Sequence, residues 1–85
     1  MLAVAMEKQT KGRRIEGPAR ISRIGYWMPT PAWEAPLIEF DFYGEYLTWR
    51  TDEEHAEGLF AGDTVRLTAF ARENHRLYRV QVKKL

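Results

Sequence analysis

The stretch GDTVRLTAFARENHRLYRVQV, residues 62–82, decides how this chain folds. From Thr64 onward the residues alternate strictly, with Val65, Leu67, Ala69 and Ala71 on one face and Thr64, Arg66, Thr68, Phe70 and Arg72 on the other. A period of two is the signature of a half-buried strand. Glu73-Asn74-His75 interrupts the pattern, and it resumes over Leu77 to Val82. Tyr78, Val80 and Val82 continue the apolar face, while Arg79, Gln81 and Lys83 project the other way. The stretch predicts a β-hairpin with one side on a core and the other cationic.

Upstream, Ile38, Phe40 and Phe42 alternate with Glu39 and Asp41, and Gly44-Glu45 predicts a tight turn into a return strand over Tyr46 to Thr51. Thr51-Asp52-Glu53-Glu54 fits a helix start, with Thr51 or Asp52 as cap, acidic groups in the first turn and Gly58 as the stop. Such a helix has two turns at most. From Arg13 to Trp27 the apolar positions Ile15, Ala19 and Ile21 share one parity, and Ile24 and Tyr26 change phase across Ser22-Arg23. That predicts one long strand with a bulge, with Gly17-Pro18 and Gly25 as places where it curls. Met28 to Pro36 carries three of the four prolines and is expected to be an irregular loop with aromatic anchors at both ends. Residues 1–12 read as a mobile polar lead, and 13–85 as one domain.

A chain of 85 residues supports a single modest core, burying roughly 60% of its unfolded surface. Without cysteine, neither disulfides nor a thiolate zinc site hold it together. His55 and His75 lack the spacing of a metal site, and no metal or other cofactor is expected. No apolar run reaches the ~20 residues of a membrane span, and the opening MLAVAM is too short for a signal peptide. The expectation is a soluble, cytoplasmic protein without membrane contact.

The formal net charge of +1 conceals segregation along the chain. Residues 1–36 carry six basic and three acidic groups, residues 37–63 one against eight, and residues 64–85 six against one. Charges sorted by segment let a near-neutral protein present a basic face, although mixed charge also serves solubility alone.

Five strands with a helical connection between the third and fourth, together with Gly62-Asp-Thr-Val-Arg-Leu-Thr-Ala-Phe-Ala71, resemble the OB-fold, a partly open Greek-key barrel. The resemblance covers roughly residues 13–85 and makes the expected fold all-β: a five-stranded barrel with a short helix between strands 3 and 4. It implies that Leu59 and Phe60 plug the open end. It also implies a ligand site across strands 2 and 3, flanked by the loops between strands 1 and 2 and between strands 4 and 5.

Matching positions are Trp27 and Trp33 in the first loop, Tyr43, Tyr46 and Arg50 on the strands, and Asn74, His75 and Arg76 in the second loop. Aromatic planes stack on bases and arginines hold phosphates, so these types suit single-stranded nucleic acid, DNA more than RNA. Glu39 and Asp41 lie on the same platform and repel phosphate. That leaves a second track open along strands 1, 4 and 5, through Arg14, Arg20, Arg66, Phe70, Arg72 and Arg79. Phe70 either stacks on a ligand or covers Leu77 or Leu85. Trp49 is in phase with Leu47 and reads as a core filler. The acidic residues Asp52, Glu53, Glu54 and Glu57 read as a solvated helix face, and no motif for catalysis occurs, so the expected protein binds and does not catalyse. The alternative is a protein-interaction module that docks through its acidic strand 2–3 surface or its Trp-Pro loop. Exposed strand edges also leave room for a homodimer.

Overall fold

The computed structural model describes residues 12–85, so the lead expected over residues 1–12 lies outside the described residues except for Gly12. The elements are β1 (Arg13–Thr30), β2 (Trp33–Phe42), β3 (Glu45–Arg50), α1 (Glu53–Ala56), β4 (Thr64–Ala71) and β5 (Leu77–Lys84). All five strands form one sheet of order β3-β2-β1-β4-β5, with every ladder antiparallel. The protein is all-β with a single-turn helix. No helix among the described residues is long and apolar enough to cross a membrane.

The 18-residue β1 organises the sheet. Its first half, Arg13 to Arg20, pairs with β4, and its second half, Arg20 to Thr30, pairs with β2. The register slips between Ile21 and Arg23, which leaves Ser22 as the extra residue where the phase change had placed a bulge. A bulge bends its strand and increases the local twist. There the Ile21 N–H donates to the Asp63 carbonyl at 2.8 Å and the Ile21 carbonyl accepts from Gly62 N at 2.7 Å. The Gly-Asp pair thus extends the β1–β4 contact to the bend. Beyond it Ile24 packs against the core, but Tyr26 stands 70% exposed.

Four local expectations are corrected. Met28 to Pro36 is not an irregular loop: β1 continues to Thr30, Pro31-Ala32 make the turn, and β2 begins at Trp33. The prolines are tolerated because of where their missing N–H groups fall. The Pro36 carbonyl accepts from Thr51 N at 3.1 Å, toward the end of β3, so Pro36 deprives the β1–β2 ladder of nothing. Met28 and Pro29 together face Glu34, since Trp27 pairs with Ala35 and Thr30 with Trp33, which puts Pro29 in a bulge.

The second correction concerns β5. Phe70 pairs with Tyr78 and Thr68 with Gln81, so Arg79 and Val80 both face Ala69, with Arg79 at φ 53°. This bulge reverses the phase: Leu77 is buried, and Tyr78 leaves the apolar face for the outer one. Third, the β2–β3 turn is Tyr43-Gly44, at φ 52° and 83°, not Gly44-Glu45. Positive φ at both central residues is the hairpin geometry that matches strand twist, and glycine adopts it at no steric cost. Fourth, Leu59 packs against the core as expected of a plug, whereas Phe60 is 65% exposed beneath Lys84.

The core lies on the inner face of the curled sheet. Phe40 is the cross-strand partner of both Ile21 and Leu47, and Ile38 of both Ile24 and Trp49. Val65 and Leu67 complete the fully buried set from β4. Burying each such side chain stabilises the fold by about 1.5–3 kcal/mol. The small residues Ala19, Ala69 and Ala71 fill the same buried face.

The edges are β3 and β5. A single parallel bridge, Thr48 with Arg76, joins them, and the Thr48 N–H donates to the His75 carbonyl at 2.9 Å. No ladder follows that bridge among the described residues, so the sheet is not closed. In α1, Asp52 is the N-cap, accepting from His55 N at 2.9 Å, and the chain leaves through Gly58 at φ 78°.

Candidate functional site

The three tryptophans of the chain line one cleft of about 350 Å³ beside the β3–β5 seam. Trp27 and Trp33 come from the β1–β2 ribbon, where Trp27 pairs with the small, buried Ala35 and Trp33 precedes that residue by two, on the same face. The Trp27 ring is held in place: its Nε1 donates to the Thr51 carbonyl at 3.0 Å, and the Arg50 guanidinium stands 5.6 Å from the ring centre. Trp33 is 60% exposed. Trp49 is half-buried, its ring edge-on to the His55 imidazole at 6.4 Å, and Asp52 completes the far wall. Reading Trp49 as a core filler was incomplete. It packs against the core and lines the cleft as well.

A second arginine–aromatic cluster forms at the β4–β5 turn. His75 N donates to the Arg72 carbonyl at 2.9 Å, and Arg72 N to the Arg76 carbonyl at 3.1 Å. His75 takes positive φ (63°), and the Asn74 side chain accepts from Arg76 N at 3.0 Å. This is the three-residue hairpin loop in which a residue of left-handed conformation follows a turn. It brings two guanidiniums onto one ring: Arg72 lies 3.9 Å and Arg76 5.1 Å from the centre of Tyr78. Because Arg76 bridges Thr48, and Arg50 lies two residues further along β3, about 7 Å away, the two clusters flank the same seam.

The other expected residues divide by what neutralises them. On the outer face of β1 and β4, Glu16 holds Arg14 at 3.2 Å and Arg66 at 3.3 Å. The Arg66 bond, ahead of the Arg14 charge, keeps the Glu16 carboxyl below its ordinary range. Arg20 stands opposite Asp41 in the ladder. Phe70 sits between Arg14 and Tyr78 in the ladders.

On the strand 2–3 platform, Glu39 accepts from the Tyr46 hydroxyl at 2.9 Å and pairs with Arg23 at 3.6 Å, which occupies both groups. The bond to Glu39 pushes the Tyr46 hydroxyl above its ordinary pKa. Asp41 accepts from Gly44 N at 2.8 Å, and Glu45 pairs with Arg13. Tyr43 follows Trp33 by ten residues, just past the end of β2 and about 33 Å away along the strand, so the structure separates it from the cleft. Its hydroxyl covers Gly17, where a Cβ would meet it at 3.2 Å.

Among the described residues, Arg20, Arg50, Arg72, Arg76, Arg79 and Lys83 have no carboxylate within ion-pair distance. Three of these, Arg50, Arg72 and Arg76, lie at the seam on aromatic rings.

Asp52 and His55 form an ion pair at the cleft wall, with His55 Nδ1 2.8 Å from Asp52 Oδ1. The carboxylate is held below its ordinary 3.8 by the His55 backbone N–H and then by the ring, and the imidazole is raised above 6.5 by the same carboxylate. The raised His55 contributes stability below about pH 6.5 that is lost as pH rises through its folded value, and the lowered Asp52 contributes stability above about pH 3.8 that is lost on acidification. NMR titration is expected to give His55 a pKa above 6.5 in the wild type and a lower one in Asp52→Asn. Equal values in the two proteins would refute the pair.

No protein-family model matches the chain, and searches of curated proteins and of solved structures return no match. Trp49, Asp52 and His55 are the aromatic and charged cleft residues that the expected site omitted. The signal for the last two was present, since Asp52 and His55 sit three apart at a helix start, where cap and first turn meet.

Proposed function

We propose that the chain is an OB-fold protein that binds single-stranded nucleic acid, DNA more than RNA, along the β3–β5 seam and the tryptophan cleft, without a catalytic step. The fold reading is supported by the strand order and by the parallel Thr48–Arg76 bridge, the kind of contact that turns such a sheet into a partly open barrel. The observation that carries the function is the segregation of arginines: on β1 and β4, Arg14 and Arg66 are tied to Glu16, Arg13 to Glu45 and Arg23 to Glu39, whereas Arg50, Arg72 and Arg76 lie on aromatic rings at one seam. Guanidiniums there neutralise phosphates, and adjacent rings stack bases at ~1–3 kcal/mol each. The acidic platform residues oppose this arrangement less than their number suggests, because Glu39 is paired with Arg23 and Glu45 with Arg13.

Titration with a mixed-sequence single-stranded oligonucleotide is expected to quench tryptophan fluorescence. The logarithm of affinity is expected to fall with that of salt with a slope of about −2, from three phosphates at about −0.7 each. Absence of quenching at micromolar protein in low salt would sink the reading. That outcome would favour a protein-docking role, for which the exposed Tyr26 and Met28 on the ribbon are the supporting feature.

A further inference from the structure

The tryptophan cleft differs from an indifferent stacking platform in one respect: it places a carboxylate beside the rings. We propose that it is a base-reading subsite, in which Asp52 accepts from the exocyclic amino group of a nucleobase and so selects amino-bearing bases, cytosine above all, over thymine or uracil. The inference rests on the nucleic-acid reading above and assigns a preference to it.

Asp52 uses Oδ1 for both of its bonds to His55, to the backbone N–H at 2.9 Å and to ring Nδ1 at 2.8 Å. Asp52 lines the cleft, and no hydrogen bond to its Oδ2 is present among the described residues. A carboxylate is an acceptor with no proton to give, and the bonds from His55 favour its charged form. Bases differ at the complementary position: cytosine offers N4–H₂ and adenine N6–H₂, whereas thymine offers O4, whose lone pairs face the carboxylate repulsively. The other wall supplies the opposite chemistry. Arg50 is a pure donor and reaches ring nitrogens or carbonyls of the same base or its phosphate.

Trp33, 60% exposed, provides an open stacking face, and the cleft's roughly 350 Å³ accommodates a single ring. An organic cation is the competing occupant that three tryptophans and a carboxylate suggest. Arg50 already places a positive charge 5.6 Å from the Trp27 ring, and it repels a second one.

The test compares dC and dT homopolymers of equal length at one salt concentration, since both are pyrimidine chains with the same backbone charge. The wild type is expected to bind the dC oligomer at least ~5-fold more tightly, the low end of what one good base contact discriminates. In Asp52→Asn the amide both donates and accepts, and the dC:dT ratio is expected to fall toward 1. Asparagine caps a helix as well as aspartate does, so the variant keeps α1, and a cooperative thermal transition that falls by no more than a few degrees with the lost His55 pair verifies it. Equal affinities in the wild type, or an unchanged ratio in Asp52→Asn, overturn the base-reading subsite alone. Failure of every oligonucleotide to bind overturns the nucleic-acid reading with it.

Discussion

Charge reversal at Arg50 and Arg76 together is expected to lower affinity for single-stranded oligonucleotides by about 100-fold or more at low salt. Each arginine–phosphate bond contributes on the order of 1.5 kcal/mol, and two lost bonds amount to about 3 kcal/mol. The introduced carboxylates add repulsion. The salt slope is expected to become shallower by about 1.4, from two phosphates at about 0.7 each. Neither side chain is needed for the fold: Arg50 is exposed, and the turn bonds at position 76 run through its backbone N–H and carbonyl. The same reversal at Arg14 and Arg66 is the comparison, because those guanidiniums are already committed to Glu16. Losses as large at Arg14 and Arg66 as at Arg50 and Arg76 would move the binding track to β1 and β4.

Phe40→Ala is expected to cost about 3–5 kcal/mol of folding stability. Phe40 has no exposed surface, and it is the ring on which Ile21 and Leu47 converge from the two neighbouring strands. A chain of this length has roughly 4–13 kcal/mol in total at 0.05–0.15 kcal/mol per residue, so this one substitution removes a large share. Urea denaturation followed by tryptophan fluorescence reads the loss as a lower midpoint, and the thermal midpoint is expected to fall by about 15 °C or more. Phe60→Ala is the matched control: its ring is 65% exposed, and its removal is expected to stay within about 0.5 kcal/mol. A similar small effect for Phe40 would mean that the inner face of the sheet is not the core.

Much of the fold was legible because strand alternation is local. Val65, Leu67, Ala69 and Ala71 all lie inside, as their parity requires, and the phase change at Ser22 marked a real bulge. The helix start was equally legible, since a cap is written in adjacent residues. Pro29, Pro31 and Pro36 misled, because a proline forbids a strand only where its N–H would be needed, and that depends on which neighbour it faces. Of the expected site residues, Trp27, Trp33, Arg50, Arg72 and Arg76 meet at one seam, whereas Tyr43, Arg14 and Arg66 are engaged elsewhere. Sequence position says nothing about which carboxylate a given arginine will find.

The amino-acid sequence by itself determined the all-β character, the five strands, the capped turn of helix and the one cationic hairpin, all of which follow from backbone periodicity and local capping. Only the tertiary structure decided that Tyr78 turns outward, that Glu16 pairs with two arginines and that three tryptophans share a cleft. The Arg79 bulge that turns Tyr78 exists only relative to the register of β4, and the Glu16–Arg66 pair joins residues that only the β1–β4 ladder brings together. Those contacts are non-local, and pairing between distant strands creates them after the local pattern has had its say.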